Sequence, residues 1–480
     1  MLTYQDFLEA GEASDESKKQ FVLSAINRHE NSEEMRIAKD ADEYDKQKNV
    51  TILNYTKTMY TMSGSPVIDF TASNAKITSN FFHRLNVQRE SYLLGNGVFF
   101  KDEKTKDKLG EEFDNVVADI AYYALIHGSC FGFWNFDRLY MFKYTEFVPL
   151  FDEETSKLRA GIRYWRLASD KPMYVVLYEE DGYTKYRSFA DEDDEALAEI
   201  QPKKKYVQTV KRTEADGEVV IGDFNYSTLP IIPVWGNKRH QSTLVGTREA
   251  IDSYDLVRSG FANDLNDVAQ IYWLIENAAG MEEEDLARFR DRLKINHIAT
   301  VTTQDGANVH PYTQDIPYVA RQTFLNDLKA QIYADFGALD VHQVQANSTN
   351  DHLEAAYQPL DEEADELEYQ MIKFIQQLLQ VVGIKNEMPT FKRNRISNTA
   401  QTTQMVLSAA EYLDAETVLK KLPFVTVDEV EEILKRKDAE DMERMGMMMA
   451  QQGMAQGAQE GEEEEGEEDT EEEEEGAENG

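Results

Sequence analysis

Residues 247–277 read T-R-E-A-I-D-S-Y-D-L-V-R-S-G-F-A-N-D-L-N-D-V-A-Q-I-Y-W-L-I-E-N, and this stretch sets the layout of the chain. Ile251, Tyr254, Val257, Phe261, Leu265, Val268, Ile271 and Ile275 follow one another by three or four positions, the repeat of one helical face. Asp252, Asp255, Asp264 and Asp267 lie off that stripe, so the spacing predicts one long amphipathic helix. Downstream come a short charged helix at 282–293, an apolar run at 298–303 and a proline-bounded stretch at 311–317. A second amphipathic helix is expected over 318–336, with Leu325, Leu328, Ile332 and Phe336 on one face. A polar loop at 337–350 precedes a helix at 351–382, whose stripe runs from Leu353 to Val382 and which Pro359 is expected to kink. Phe391-Lys392-Arg393-Asn394-Arg395 reads as a short strand, and helices at 398–414 and 427–446 finish the ordered chain.

Upstream the texture changes twice. Residues 131–235 are rich in aromatic and β-branched residues, with Asp181-Gly182 and Asp216-Gly217 as hairpin turns. Leu229-Pro230-Ile231-Ile232-Pro233-Val234 is expected to close that block, because paired prolines do not fit inside a sheet. Residues 1–127 repeat mostly at helical spacing, so the fold class is α+β.

The chain has 480 residues and a formal net charge of −40. Residues 460–480 carry 14 acids and no base, so the first 459 hold −26. This argues against a protein that grips nucleic acid, which needs clustered Lys/Arg to displace counterions. The composition of the acidic tail after the Met-rich stretch leads to the expectation that it is disordered. The single cysteine, Cys130, permits no intrachain disulfide and points to a reducing cytoplasm. Residues 1–10 lack the basic and apolar regions of a secretory signal, and no run suits a membrane helix, so a soluble intracellular protein is expected.

Catalytic motifs are absent. Gly128-Ser129-Cys130-Phe131-Gly132 fits the outline of a nucleophile elbow beside His127, but a helix precedes it and a strand follows, the reverse of the required order. It reads as a glycine-rich helix-to-strand turn with a buried thiol. No H-E-x-x-H, C-x-x-C or phosphate loop occurs, so neither metal nor cofactor is expected. Acidic runs at 191–195, 282–285 and 361–366 lack fixed ligand geometry and read as solvated faces. Lys203-Lys204-Lys205, Lys392-Arg393 with Arg395, Lys420-Lys421 and Lys435-Arg436-Lys437 read as solvated surface or subunit contacts.

The order of segments resembles the portal (head–tail connector) proteins of tailed bacteriophages, of the siphophage type. The resemblance is carried by A-L-I-H-G at 124–128 with the strand through 144–152, and by L-P-I-I-P at 229–233 leading to the helix at 247. L-K-A-Q-I-Y-A-D-F-G-A-L-D at 328–340, residues 348–361 and F-K-R-N-R-I-S-N-T at 391–399 add to it, as do Ala415-Glu416-Thr417 and Leu422-Pro423. It spans roughly residues 60–440. The resemblance implies a ring, typically twelve-fold, built from a mixed α/β wing, a two-helix stem, a small α/β clip, a long kinked helix and a helical crown. Mapped by resemblance, the wing is 1–245, the stem helices 246–272 and 318–336, and the clip 273–317. The tunnel loop is then 337–350, the long wing helix and strand 351–397, the crown 398–446 and the tail 447–480. Such a ring occupies one capsid vertex of the virion, is assembled in the host bacterial cytoplasm, and conducts double-stranded DNA in packaging and ejection without sequence specificity. Implied partners are further copies of the chain, the terminase large subunit, a head–tail adaptor, and the major capsid and scaffolding proteins, with no membrane.

On that mapping the tunnel loop contributes Gly337, His342, Gln343, Gln345, Asn347 and Asn350, and the clip offers Arg288, Arg292 and Lys294 to terminase. Asp252, Asp255, Asp264 and Asp267 become candidates for an acidic channel wall that repels phosphate. Many family members place lysines near the constriction. This chain has none between residues 330 and 371, so loose polar contact with DNA replaces gripping. Two competing readings are an acidic scaffold or chaperone using residues 460–480 as a polyanion, and a thiol hydrolase built on Cys130.

Overall fold

Wherever residues 1–127 repeat at helical spacing they fold as helices: α1 (Tyr4–Ala13), α2 (Asp15–Glu30), α3 (Glu33–Asp45) and α4 (Val50–Asn54). Thr3, Ser14 and Ser32 start the first three, each accepting a bond from a first-turn amide. A short hairpin, β1 (Thr58–Tyr60) and β2 (Pro66–Ile68), precedes α5 (Phe81–Leu94), β3 (Val98–Phe99), α6 (Lys104–Asp107) and α7 (Phe113–His127). The computed structural model describes residues 2–60, 64–68, 73–189 except 103 and 169, 196–207, 210–214, 217–221, 224–268, 272–276, 284, 308–312, 317–341, 350–395, and 399–447 except 423, 424, 426–428 and 431. The chain divides into two units, 1–343 with 356–395, and 344–355 with 396–480.

The β block follows as β4 (Ser129–Asn135), β5 (Arg138–Lys143), β6 (Phe147–Phe151), β7 (Leu158–Arg166), β8 (Met173–Glu179), β9 (Gly182–Ser188), β10 (Leu197–Lys204), β11 (Val210–Glu214), β12 (Gly217–Ile221) and β13 (Ile231–Trp235). Strands β6 to β10 form an antiparallel meander, while β13-β4-β5 is a separate three-stranded sheet. The proline run thus does not merely close the block. Its residues from Ile231 on pair with β4, Pro233 opposite Phe131, and Pro233 is tolerated because β13 is an edge strand. Pro149 obeys the same rule on β6, the edge of the meander.

The opening stretch forms α8 (Arg248–Val268) and then β14 (Tyr272–Glu276), which pairs with β15 (Asn308–Tyr312). The helix therefore ends short of the 277 that its periodicity suggested. Ile271 and Ile275 prolong the helical stripe by coincidence, because Tyr272 to Ile275 is an uninterrupted apolar run, and such a run also suits a strand. Then come α9 (Tyr318–Asp335), α10 (Asn350–Val382), which runs on through Pro359, and β16 (Thr390–Phe391), which pairs with β3. In the second unit α11 (Thr399–Ala409), α12 (Ala415–Lys421) and residues 432–447 are helical.

The core of the first unit joins α5, α7, β4, β13 and α10 through Leu93, Ile120, Ala124, Trp134, Val234, Leu367, Phe374 and Leu378. Gly132 makes one of these contacts possible: a Cβ there would lie 2.6 Å from the Phe374 ring. A second cluster, with Tyr44, Phe82, Leu85, Ile251, Ile332 and Phe336, seats α8 and α9 against α3 and α5. No described helix is long and apolar enough to cross a membrane.

Candidate functional site at the base of the 337–350 loop

Helix α9 ends where Gly337 takes a left-handed φ of +59°, its N–H donating to the Ala334 carbonyl (3.0 Å) and that of Ala338 to Tyr333 (2.9 Å). A Cβ at Gly337 would meet Glu363 Cγ at 2.6 Å and the Pro359 carbonyl at 3.1 Å, so this turn presses against α10. Two consecutive residues of α5 hold it from the other side. Gln88 Nε2 donates to the Leu339 carbonyl (2.9 Å), and Gln88 Oε1 accepts from the Leu339 amide (3.0 Å). Arg89, 5% exposed, donates to the Phe336 carbonyl (2.5 Å) and pairs with Glu363 (3.0 Å). Burial lowers the Arg89 pKa, and Glu363, then Glu366, oppose that shift. Lys329 and Asp340 close the turn at 3.1 Å.

The strand after α10 returns to the same place. Arg393 lies 2.7 Å from Asp361 and 3.0 Å from Glu368, and also contacts Asp365. Arg395 pairs with Asp361 and donates through Nε to the Tyr92 hydroxyl (2.7 Å), which in turn donates to Asp361 (2.5 Å). Tyr92 and Tyr357 stack with centroids 5.6 Å apart, Arg395 lying over the Tyr357 ring. Burial works against ionisation of Asp361, but bonds from Tyr92, Arg393 and Arg395 outweigh it and hold its pKa below the ordinary value. Arg393 and Arg395, expected on a solvated surface or in subunit contacts, make ion pairs within the chain; Arg393 is partly buried and Arg395 stays exposed. Lys203 lies on the surface as expected and pairs there with Glu179 (3.0 Å) and Asp181 (2.7 Å). The arrangement at the loop's base bolts its first turn to three helices.

Of the loop residues read from the sequence, only Gly337 has described surroundings. Asn350 begins α10, and His342, Gln343, Gln345 and Asn347 lie outside the described residues, as do Arg288, Arg292 and Lys294. The acids off the α8 stripe diverge in role. Asp255 is 0% exposed, accepting from Ser79 N (2.9 Å) and Asn49 Nδ2, so it does not line a wall. The reason is packing: residues 49 and 75–79 cover that side of α8, which periodicity alone assigned to solvent. Asp252 accepts from Thr51 Oγ1 (2.7 Å) and the Tyr44 hydroxyl. Asp264 is half-buried and pairs with Arg321 of α9. The side chain of Asp267 lies outside the described residues. Gln88, Arg89 and Tyr92 carry no sequence signal, because their partners lie some 250 positions or more away.

Cys130 is fully buried, its Sγ donating to the Phe142 carbonyl (3.3 Å), and burial raises the thiol pKa far above the ordinary value. His127 turns instead to Asp42, Nε2 to Oδ1 2.9 Å. Helix α7 precedes and β4 follows, the reverse of an elbow. The hydrolase reading therefore fails. No cluster of metal-ligating side chains occurs among the described residues.

Comparison with known proteins places this architecture. Residues 23–443 match the family model described as "Phage portal protein, SPP1 Gp6-like". The portal protein of Clostridium phage phiCD119 is 26% identical over 389 residues, 75% of this chain and 83% of that protein. The portal protein of Bacillus phage SPP1 is 23% identical over 414 residues, 78% of each chain. Among solved structures, the neck of a native gene transfer agent particle computed with C12 symmetry is similar with a TM-score of 0.39 and 10% identity, over 72% of this chain and 89% of that one. The family match spans most of the chain, and the chain belongs to the SPP1 Gp6-like phage portal proteins.

Proposed function

We propose that copies of this chain assemble into a ring, twelve-fold by the family's habit, at one capsid vertex, and that the ring is the conduit for double-stranded DNA. On this reading α8 and α9 form the stem, residues 273–317 the clip that docks the terminase large subunit and later the head–tail adaptor, and 337–350 the constriction. Residues 398–446 form a crown towards the capsid interior, and major capsid and scaffolding proteins contact the ring during head assembly. The observation that best supports the reading is the base of the loop. Two α5 side chains, the clamp on Asp361 and the Gly337 turn fasten one end of a cation-poor segment to rigid helices. A loop that must sit at a constriction while duplex passes needs that footing, and a surface poor in Lys/Arg avoids stalling the duplex. The body's −26 serves the same end, with Asp264 and Asp267 still candidates for the wall. The chain supplies a passage and no catalysis.

Two measurements test this. Heads assembled without the chain should contain no nuclease-protected genome, and the purified protein should not retain duplex DNA at low ionic strength. Genome-filled heads lacking the chain would overturn the reading.

A further inference from the structure

Residues 75–79 are fastened to α8 by side chains in place of a sheet. The amides of Ala75, Ile77 and Ser79 donate to Asn263 Oδ1 (2.6 Å), Ser259 Oγ (2.9 Å) and Asp255 Oδ1 (2.9 Å). Alternate residues of an extended chain advance about 6.6 Å, and four helical residues rise about 6 Å. The two repeats match, so a strap runs antiparallel along one helix face. Its last tie is the unusual one. Asp255 is wholly buried, and its second oxygen accepts from Asn49 Nδ2, which also donates to the Ser79 carbonyl (3.2 Å). Asn49 Oδ1, buried beside it, has no hydrogen-bond partner.

Among the described residues no cation pairs with this carboxylate. On α8, Arg248 is taken by Asp40 of α3 (2.7 Å) and by Asp252 (3.6 Å), and Asp252 adds a like charge. The Tyr44 hydroxyl of α3 donates to Asp252, and Lys76 Nζ donates to the Leu53 carbonyl. On α9, Arg321 pairs with Asp264 and Lys329 with Asp340. A neutral carboxyl keeps one oxygen to accept from Ser79 and buries no charge, while Asn49 still ties the Ser79 carbonyl. An ionised one is buried with two donors and a neighbouring acid.

We propose that residues 75–79 form a proton-gated latch on α8, held more tightly when Asp255 is neutral than when it is ionised. The latch ties the stem helix to the connection between β2 and α5, and acidification tightens it. Burial, eased by Asn49 and Ser79, raises the Asp255 pKa to about 6 from the ordinary 3.8. Because the folded value is raised, the stabilisation is complete below the ordinary value and is lost as pH rises through about 6. The inference stands apart from the ring reading, since it concerns contacts inside one chain.

Hydrogen exchange of the full-length protein, followed by mass spectrometry on peptides spanning 73–80, tests it. After correction for intrinsic exchange rates, protection should be about tenfold higher at pH 5 than at pH 7, as linkage between those two values requires. Peptides from β7 and β8 serve as the reference. Asp255→Asn should abolish the pH dependence. Ser259→Ala, which leaves the acid intact, should lower protection at both pH values and keep the ratio. Equal protection of the wild-type strap at both pH values, or an unchanged ratio in Asp255→Asn, overturns the proposal.

Discussion

Arg89 shows how one side chain can hold two elements that are distant in sequence. Its guanidinium is buried between the last carbonyls of α9 and Glu363 of α10. Arg89→Met removes the charge but keeps the bulk, leaving Glu363 and the Phe336 carbonyl unpaired. A loss of about 2 kcal/mol is expected, less than for a fully buried pair because Glu363 is partly solvated, read as a lowered denaturation midpoint of the full chain. Gly337→Ala meets a different obstacle, a left-handed φ together with the Pro359 carbonyl at 3.1 Å, and should cost about 2 kcal/mol. Cys130 should resist alkylation at neutral pH until the protein unfolds. Rapid labelling of the native chain would contradict its burial.

At the scale of elements, the clamp of Arg393 and Arg395 on α10 carries a pH signature opposite to that of the strap. The Asp361 pKa is lowered, so its contribution is complete above the ordinary carboxylate value and is lost as pH falls through the depressed one. Acid unfolding of the wild type should therefore include release of this strand, and Asp361→Asn should remove that component of the pH dependence. Helix positions were legible in the sequence where an amphipathic stripe is undisturbed, as in α9 and α10. They were not legible at the end of α8, where an apolar run satisfied two periods at once. Pairing was also hidden. The edge position of β13 depends on what lies beside it, and the burial of Asp255 depends on residues 49 and 75–79, some 200 positions earlier. The strict α8 stripe suggested an acidic outer face, whereas the tertiary fold covers part of it.

For the whole molecule, the sequence disclosed its family through the order of its segments, and no single motif would have done so. The α+β class and the order α8, paired strands β14 and β15, α9 and α10 appear in the described residues. The anchoring of the loop did not show in the sequence, because Gln88 and Arg89 sit in an ordinary helix with nothing local to mark them. We propose that many copies close into a ring with an open axis. Electron microscopy of the purified full-length chain, with symmetry analysis across several salt concentrations, tests it most directly. Closed rings of constant subunit number around a central hole are predicted; a population of monomers and dimers alone at every salt concentration would contradict the account.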